Sequence, residues 1–163
     1  MADQGLCLRV DQPAAGLLVC GIKKFKGYPE LFTHRGRLWI TASDKEATLQ
    51  EIREAEAFYM RTRGTILFPS GYQRSYLIGC VDVVNCITHS DYTNQHPEHP
   101  ETDSDYVLVC QNPRCLPRLQ FHNPGTETLF KLDPLVHAAA VKVLNSQQPN
   151  QLLGKEFFMD GKK

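Results

Sequence analysis

Between Gly21 and Ile40 the chain reads GIKKFKGYPELFTHRGRLWI, a stretch that holds Lys23, Lys24, Lys26, Arg35 and Arg37 against one acid, Glu30. Five cations on a loop between two packed elements form a place to receive an anion. A solvated basic turn would have the same composition, and charge alone does not separate the two. Lys23 has the further capacity to act as a base if burial or neighbouring cations lower its pKa. The one carboxylate placed to work with it is Asp82, which sits mid-run between Val81 and Val83. A carboxylate on a sheet face is costly unless paired, and Lys23, Arg35 and Arg37 are its natural partners, as a structural ion pair or as part of a catalytic set.

Other chemistries find little support. The sequence contains no GxGxxG, Walker loop, GxSxG or HExxH motif. His89, His96 and His99 are close in sequence but lie in a polar, proline-containing loop, and no CxxC pair accompanies them. No metal or cofactor is expected. The six cysteines, Cys7, Cys20, Cys80, Cys86, Cys110 and Cys115, fall mostly in apolar runs where a thiol behaves as a small hydrophobe. The start, MADQGLCLRV, lacks a basic region followed by an apolar one, so the thiols are expected to be free and reduced in an intracellular protein.

The elements that must hold these residues follow from periodicity and punctuation. Leu6–Val10 reads as a short strand, Asp11–Pro13 as a helix start, and Ala14–Cys20 as about two helical turns stopped by Gly21. The basic stretch follows as a loop, and a strand from Arg37 to Ala42 carries Trp39 into the core. Ser43 to Arg61 is the clearest helix, with Ser43 and Glu46 as a capping box, Leu49, Ile52, Ala55 and Tyr59 on one face, and Gly64 as the stop. Tyr76–Ile87 is a long strand in which Gly79 marks a bulge or a close backbone approach. Residues 89–105 are a polar, mobile insertion carrying Asp91, Glu98, Glu101, Asp103 and Asp105 with no Lys or Arg. Strands are expected at Tyr106–Cys110, Leu116–Phe121 and Leu129–Leu132, then a helix opened by Pro134, then a flexible tail over 147–163.

At 163 residues the chain suits one domain, expected over 5–146. Its formal net charge of zero excludes a polycation that coats nucleic acid along its whole surface, and the basic stretch against the acidic insertion makes the molecule bipolar. No apolar run reaches the 18 or so residues of a membrane span, so no membrane partner is expected. Mostly antiparallel strands with about three helices make the fold class α+β, a small β-barrel or strongly curved sheet.

In order, GLLVCGIKKFKG after Gln12-Pro13, HRGRLWI, LIGCVDVVNC, VLVCQNPRCLP and FKLD resemble the ASC-1 homology (ASCH) domain over about residues 6–145. The resemblance implies a PUA-like β-barrel and nucleic-acid binding, RNA or DNA, in a cleft between the GxK segment and neighbouring loops. It carries Lys23 onto the GxK lysine and His34, Arg35 and Arg37 onto the HRGR turn. Lys24 and Lys26 would join them on phosphates, and Tyr28 or Phe32 would stack on a base. Work in transcription coactivation or ribosome-associated processes is implied, in the nucleus or cytoplasm, with protein partners in coactivator or ribosome-rescue complexes; a monomer is expected. Some ASCH relatives are enzymes, amidohydrolases on N4-acetylcytidine or a ribonuclease. The amidohydrolase pattern sets Thr and Glu beside the lysine. Here Lys24, Phe25 and Lys26 follow Lys23, with Lys26 where many members have Glu, which favours a binder over a hydrolase using Lys23 and Asp82.

Overall fold

The computed structural model describes residues 3–98 and 100–147. Its elements in chain order are β1 (Leu6–Val10), α1 (Ala14–Val19), β2 (Phe25–Tyr28), β3 (Gly36–Ala42), α2 (Leu49–Arg63), β4 (Leu77–Thr88), α3 (His89–Gln95), β5 (Tyr106–Cys115), β6 (Leu129–Lys131) and α4 (Pro134–Asn145). The strands form one sheet in the order β2-β5-β4-β3-β1-β6, curled into a half-barrel. β1 runs parallel to β3 and antiparallel to β6, and the remaining pairs are antiparallel. Among the described residues the architecture is α+β with four helices, where the sequence reading expects about three.

Side-chain alternation divides the core between the two faces of this sheet. Leu38, Ile40 and Ala42 of β3 join Leu8, Val10, Val81, Val83, Leu108 and Cys110 on the face that receives α1. Trp39, one residue out of step, joins Cys7, Leu77 and Cys80 on the other face, where Ala140 and Leu144 of α4 cover them. Helix α1 is only six residues long, and Ala15 to Val19 are all buried. Propensity cannot hold so short a helix, so burial does: Leu17 and Leu18 are each worth about 1.5–3 kcal/mol when removed from water.

Several boundaries differ from the sequence reading, each for a local reason. Helix α2 begins at Leu49, with the capping box formed by Thr48 and Glu51, not Ser43 and Glu46. Ser43 is instead buried, its hydroxyl donating to Asp11 Oδ1 at 2.6 Å. Gly64 ends α2 in the left-handed conformation, at φ 69°, as expected. The basic stretch is not all loop, because β2 pairs Phe25 to Tyr28 with Tyr106 to Val109 of β5. Within the acidic insertion, Thr88 caps α3 by accepting from Asp91 N. β5 runs on to Cys115 through Pro113, with Asn112 at φ 50° and register shifts against β4 absorbing the proline. Leu116–Phe121 is not a strand; Leu116 N donates to Ile78 O and Leu77 N to Phe121 O, while Pro117 has no N–H to continue a ladder. Gly79 is a close approach: a Cβ there would run into the Arg114 carbonyl. Of the tail expected to be flexible, residues 148–163 lie outside the described part.

Candidate functional site

The sequence-predicted basic residues divide between the two faces of the sheet. Lys26 lies opposite Leu108 in the β2–β5 register, on the α1 face, and its ammonium donates to Gly27 O at 2.8 Å. Burial first, and the neighbouring Lys23 charge second, lower the Lys26 pKa. Lys24 is exposed. Lys23 and Lys24 line a cavity of about 430 Å³ with Gly21, Asn112 and Pro113 on its rim. Arg37 lies on the other face, in step with Trp39, its guanidinium 5.7 Å from the indole ring centre.

Arg35 and Arg37 line a second cavity, of about 590 Å³, together with Asp82, Asn112 and Arg114. Arg35 donates to the carbonyls of Phe32 and His34, at 2.7 and 3.0 Å, which fixes its guanidinium to its own loop. His34 Nε2 donates to Arg37 O at 2.7 Å and braces the turn. Arg37 also pairs with Asp3 at 3.2 Å. Burial raises the Asp3 pKa, but the His137 ring 3.0 Å away and the hydrogen bonds from Gly5 N and Trp39 outweigh it and hold the carboxyl below its ordinary value. Arg114 Nε is buried with no hydrogen-bond partner among the described residues. Asn112 belongs to both cavities, so they meet at this exposed residue of β5.

Two expected pairings are redrawn. Asp82 faces Arg37 in the β3–β4 register but accepts its hydrogen bond from Asn112 Nδ2, at 3.0 Å. Lys23 bonds Glu101 at 3.3 Å and does not share a cavity with Asp82. Tyr28 is buried against Phe32, ring centres 5.0 Å apart and edge-on, so neither ring is free to stack on a base. His96 packs on Phe25 and Tyr92 at 4.7 and 5.1 Å, while His89 opens α3. His99 lies outside the described residues, and among the described residues no cluster of three or more His, Cys, Asp or Glu is arranged for a metal.

Sequence reasoning missed a cluster around Glu101. Its carboxylate, 3% exposed, receives Lys23 Nζ at 3.3 Å and the Tyr59 hydroxyl at 2.6 Å on one oxygen, and Arg63 at 2.5 Å on the other. Glu101 N donates to the Tyr92 hydroxyl at 2.7 Å. Burial, then the Glu101 charge, raise the Tyr59 pKa well above its usual value, so the phenol stays a donor. No short-range signal joins Lys23 to an acid 78 residues away. Arg114 and Asn112 were missed for a simpler cause, since β5 was read as ending at Cys110.

The ASCH domain family model matches residues 8–120, more than half the chain. The chain belongs to the ASCH domain family. It is 40% identical over 147 residues to activating signal cointegrator 1 of Homo sapiens and, to the same extent, of Mus musculus. That match takes in 89% of this chain and 25% of the relative, so this ASCH domain spans about a quarter of the length of the curated relatives it matches. A crystal structure of a mutant ZmASCH protein from Zymomonas mobilis overlays 88% of this chain and 99% of its own at 10% identity, with a TM-score of 0.49.

Proposed function

We propose that this ASCH domain is a nucleic-acid-binding module that holds phosphates along the two basic cavities meeting at Asn112. One observation carries the reading: Lys24, Arg35, Arg37 and Arg114 border cavities that share a single exposed residue. Arginine forks match phosphate bidentately, and Arg35, held by backbone carbonyls, is oriented before any ligand arrives. Lys24 is the exposed cation at the far end of the track. The 40% identity to a signal cointegrator is consistent with work in transcription or RNA-associated processes inside the cell, alongside protein partners. A catalytic role for Lys23 with Asp82 has weaker support, because the two line different cavities and Lys23 is held by Glu101.

The test is a fluorescence-anisotropy titration against single- and double-stranded RNA and DNA with the parent chain and the Arg37→Ala/Arg114→Ala variant. The variant should weaken binding by a similar factor for every sequence of the preferred type, since phosphate contacts position without specifying. Equal affinity of parent and variant for all four probes would overturn the reading.

A further inference from the structure

The Glu101 cluster has the composition of an anion-binding site whose anion comes from the chain itself. Three donors from separate places converge on one carboxylate: Lys23 from the turn after α1, and Tyr59 and Arg63 from α2. Lys26 adds a further positive charge close behind Lys23, close enough to lower its own pKa. Asp11 also acts on Lys26 but is itself held by the Ser43 hydroxyl. The cations around Glu101 therefore outnumber the one charge it brings, and a phosphate, with more negative charge and more acceptor oxygens, would match them better.

The segment that delivers Glu101 is an irregular strap laid over β2. Pro100–Ser104 contains no helix or strand. It rests on Glu101 N donating to Tyr92, and on Thr102 and Ser104 packed over Gly27 of β2. Gly27 permits that seat, because a Cβ at this position would collide with the Thr102 and Ser104 side chains. Cavities lie on both sides of Glu101. One, of about 300 Å³, is lined by Leu17, Lys23, Phe58, Tyr59 and Pro100. The other, of about 260 Å³, is lined by Phe25, Thr62, Arg63 and His96. Withdrawal of Glu101 would join them into one basic, aromatic-walled pocket with Lys23, Tyr59 and Arg63 at its centre.

We propose that Glu101 is an internal plug: its carboxylate occupies a phosphate-binding site formed by Lys23, Tyr59 and Arg63, and the Pro100–Ser104 strap must lift for a phosphate to enter. This inference rests on the nucleic-acid reading for the source of the phosphate, while the site itself answers to phosphate of any origin. In the resting chain the plug engages the Lys23 ammonium, although Lys23 borders the same cavity as Lys24.

Isothermal titration with inorganic pyrophosphate, and anisotropy with a labelled single-stranded RNA oligomer, test it on Glu101→Gln and Gly27→Ala. Glutamine keeps the size of the plug and removes its charge, whereas Gly27→Ala pushes the strap from its seat without touching a donor. Both should bind pyrophosphate on the order of tenfold more tightly than the parent. Adding Lys23→Ala to Glu101→Gln should abolish the gain. Circular dichroism establishes that each variant is folded, and should one fail to fold the other carries the test. Folded variants that bind pyrophosphate no more tightly than the parent overturn the plug. A gain with pyrophosphate and none with RNA keeps the plug and removes nucleic acid as its source of phosphate. Loss of RNA binding in Arg37→Ala/Arg114→Ala with no gain in Glu101→Gln sinks the plug alone.

Discussion

Lys23 shows how much a residue's partners matter beyond its type. In sequence it is one of three lysines in four positions; in the fold it is 11% exposed and tied to Glu101, while Lys24 beside it is exposed. Replacing each by alanine separates the roles. Lys23→Ala leaves the buried Glu101 carboxylate short of one donor and should cost about 1–3 kcal/mol in a urea unfolding experiment. Lys24→Ala should leave the unfolding free energy within about 0.5 kcal/mol of the parent and still weaken nucleic-acid binding. The charges were legible in the sequence because composition reveals them. Their pairings were not, because Glu101 and Asn112 reach Lys23 and Asp82 only through the folded sheet.

At the scale of elements, alternation and punctuation located most of the strands and misplaced the ends. Trp39 could be assigned to the core from its apolar neighbours, and Gly64 to a helix stop from its position after a charged helical run. β2 escaped because Lys26 and Gly27 interrupt its pattern, and its pairing with β5 is what makes it a strand. The capping box moved by five residues because Ser43 is bonded to Asp11 and to the end of β1, leaving Thr48 and Glu51 to close the helix. Thr48→Ala should therefore lower stability by about 0.5–2 kcal/mol, while Glu46→Ala should be silent, both read from denaturant midpoints. Helix α1 packs into the core face shared by β1, β3, β4 and β5, so Leu18→Ala should cost about 2–5 kcal/mol, the range for deleting a fully buried leucine. A loss below about 1 kcal/mol would mean that α1 is not seated as described.

For the whole molecule, five of the cysteines, Cys7, Cys20, Cys80, Cys110 and Cys115, make stability depend on alkaline pH. All are unpaired, and Cys7, Cys80, Cys110 and Cys115 are buried. Burial pushes the Cys20 and Cys80 thiols up to about 11 and Cys110 to about 12, and raises Cys7 and Cys115 further. A folded-state pKa above the unfolded value means that the unfolded chain loses its thiol protons first. The stabilisation is present in full below the ordinary thiol value of 9.0 and is lost as pH climbs from there toward 11 and above. Urea midpoints measured under reductant should fall between pH 8 and pH 10.5, and replacing Cys7 and Cys115 by alanine should flatten that fall. A midpoint that holds steady over the range would contradict the buried, protonated thiols.

The division of basic residues between two faces of one sheet was beyond sequence reasoning, which placed Lys23 to Arg37 on a single rim. The register sets Lys26 with Leu108, alternation along β3 sets Arg37 with Trp39, and Asn112 is left as the point where the two cavities touch. If phosphates occupy that track, binding must release counterions in proportion to the cations engaged. The most direct measurement is the affinity for a single-stranded RNA oligomer across a salt series from 50 to 200 mM. With about four phosphates engaged, the logarithm of the affinity should fall against the logarithm of salt with a slope of roughly −3. An affinity that stays flat across the series would contradict phosphate binding by this domain.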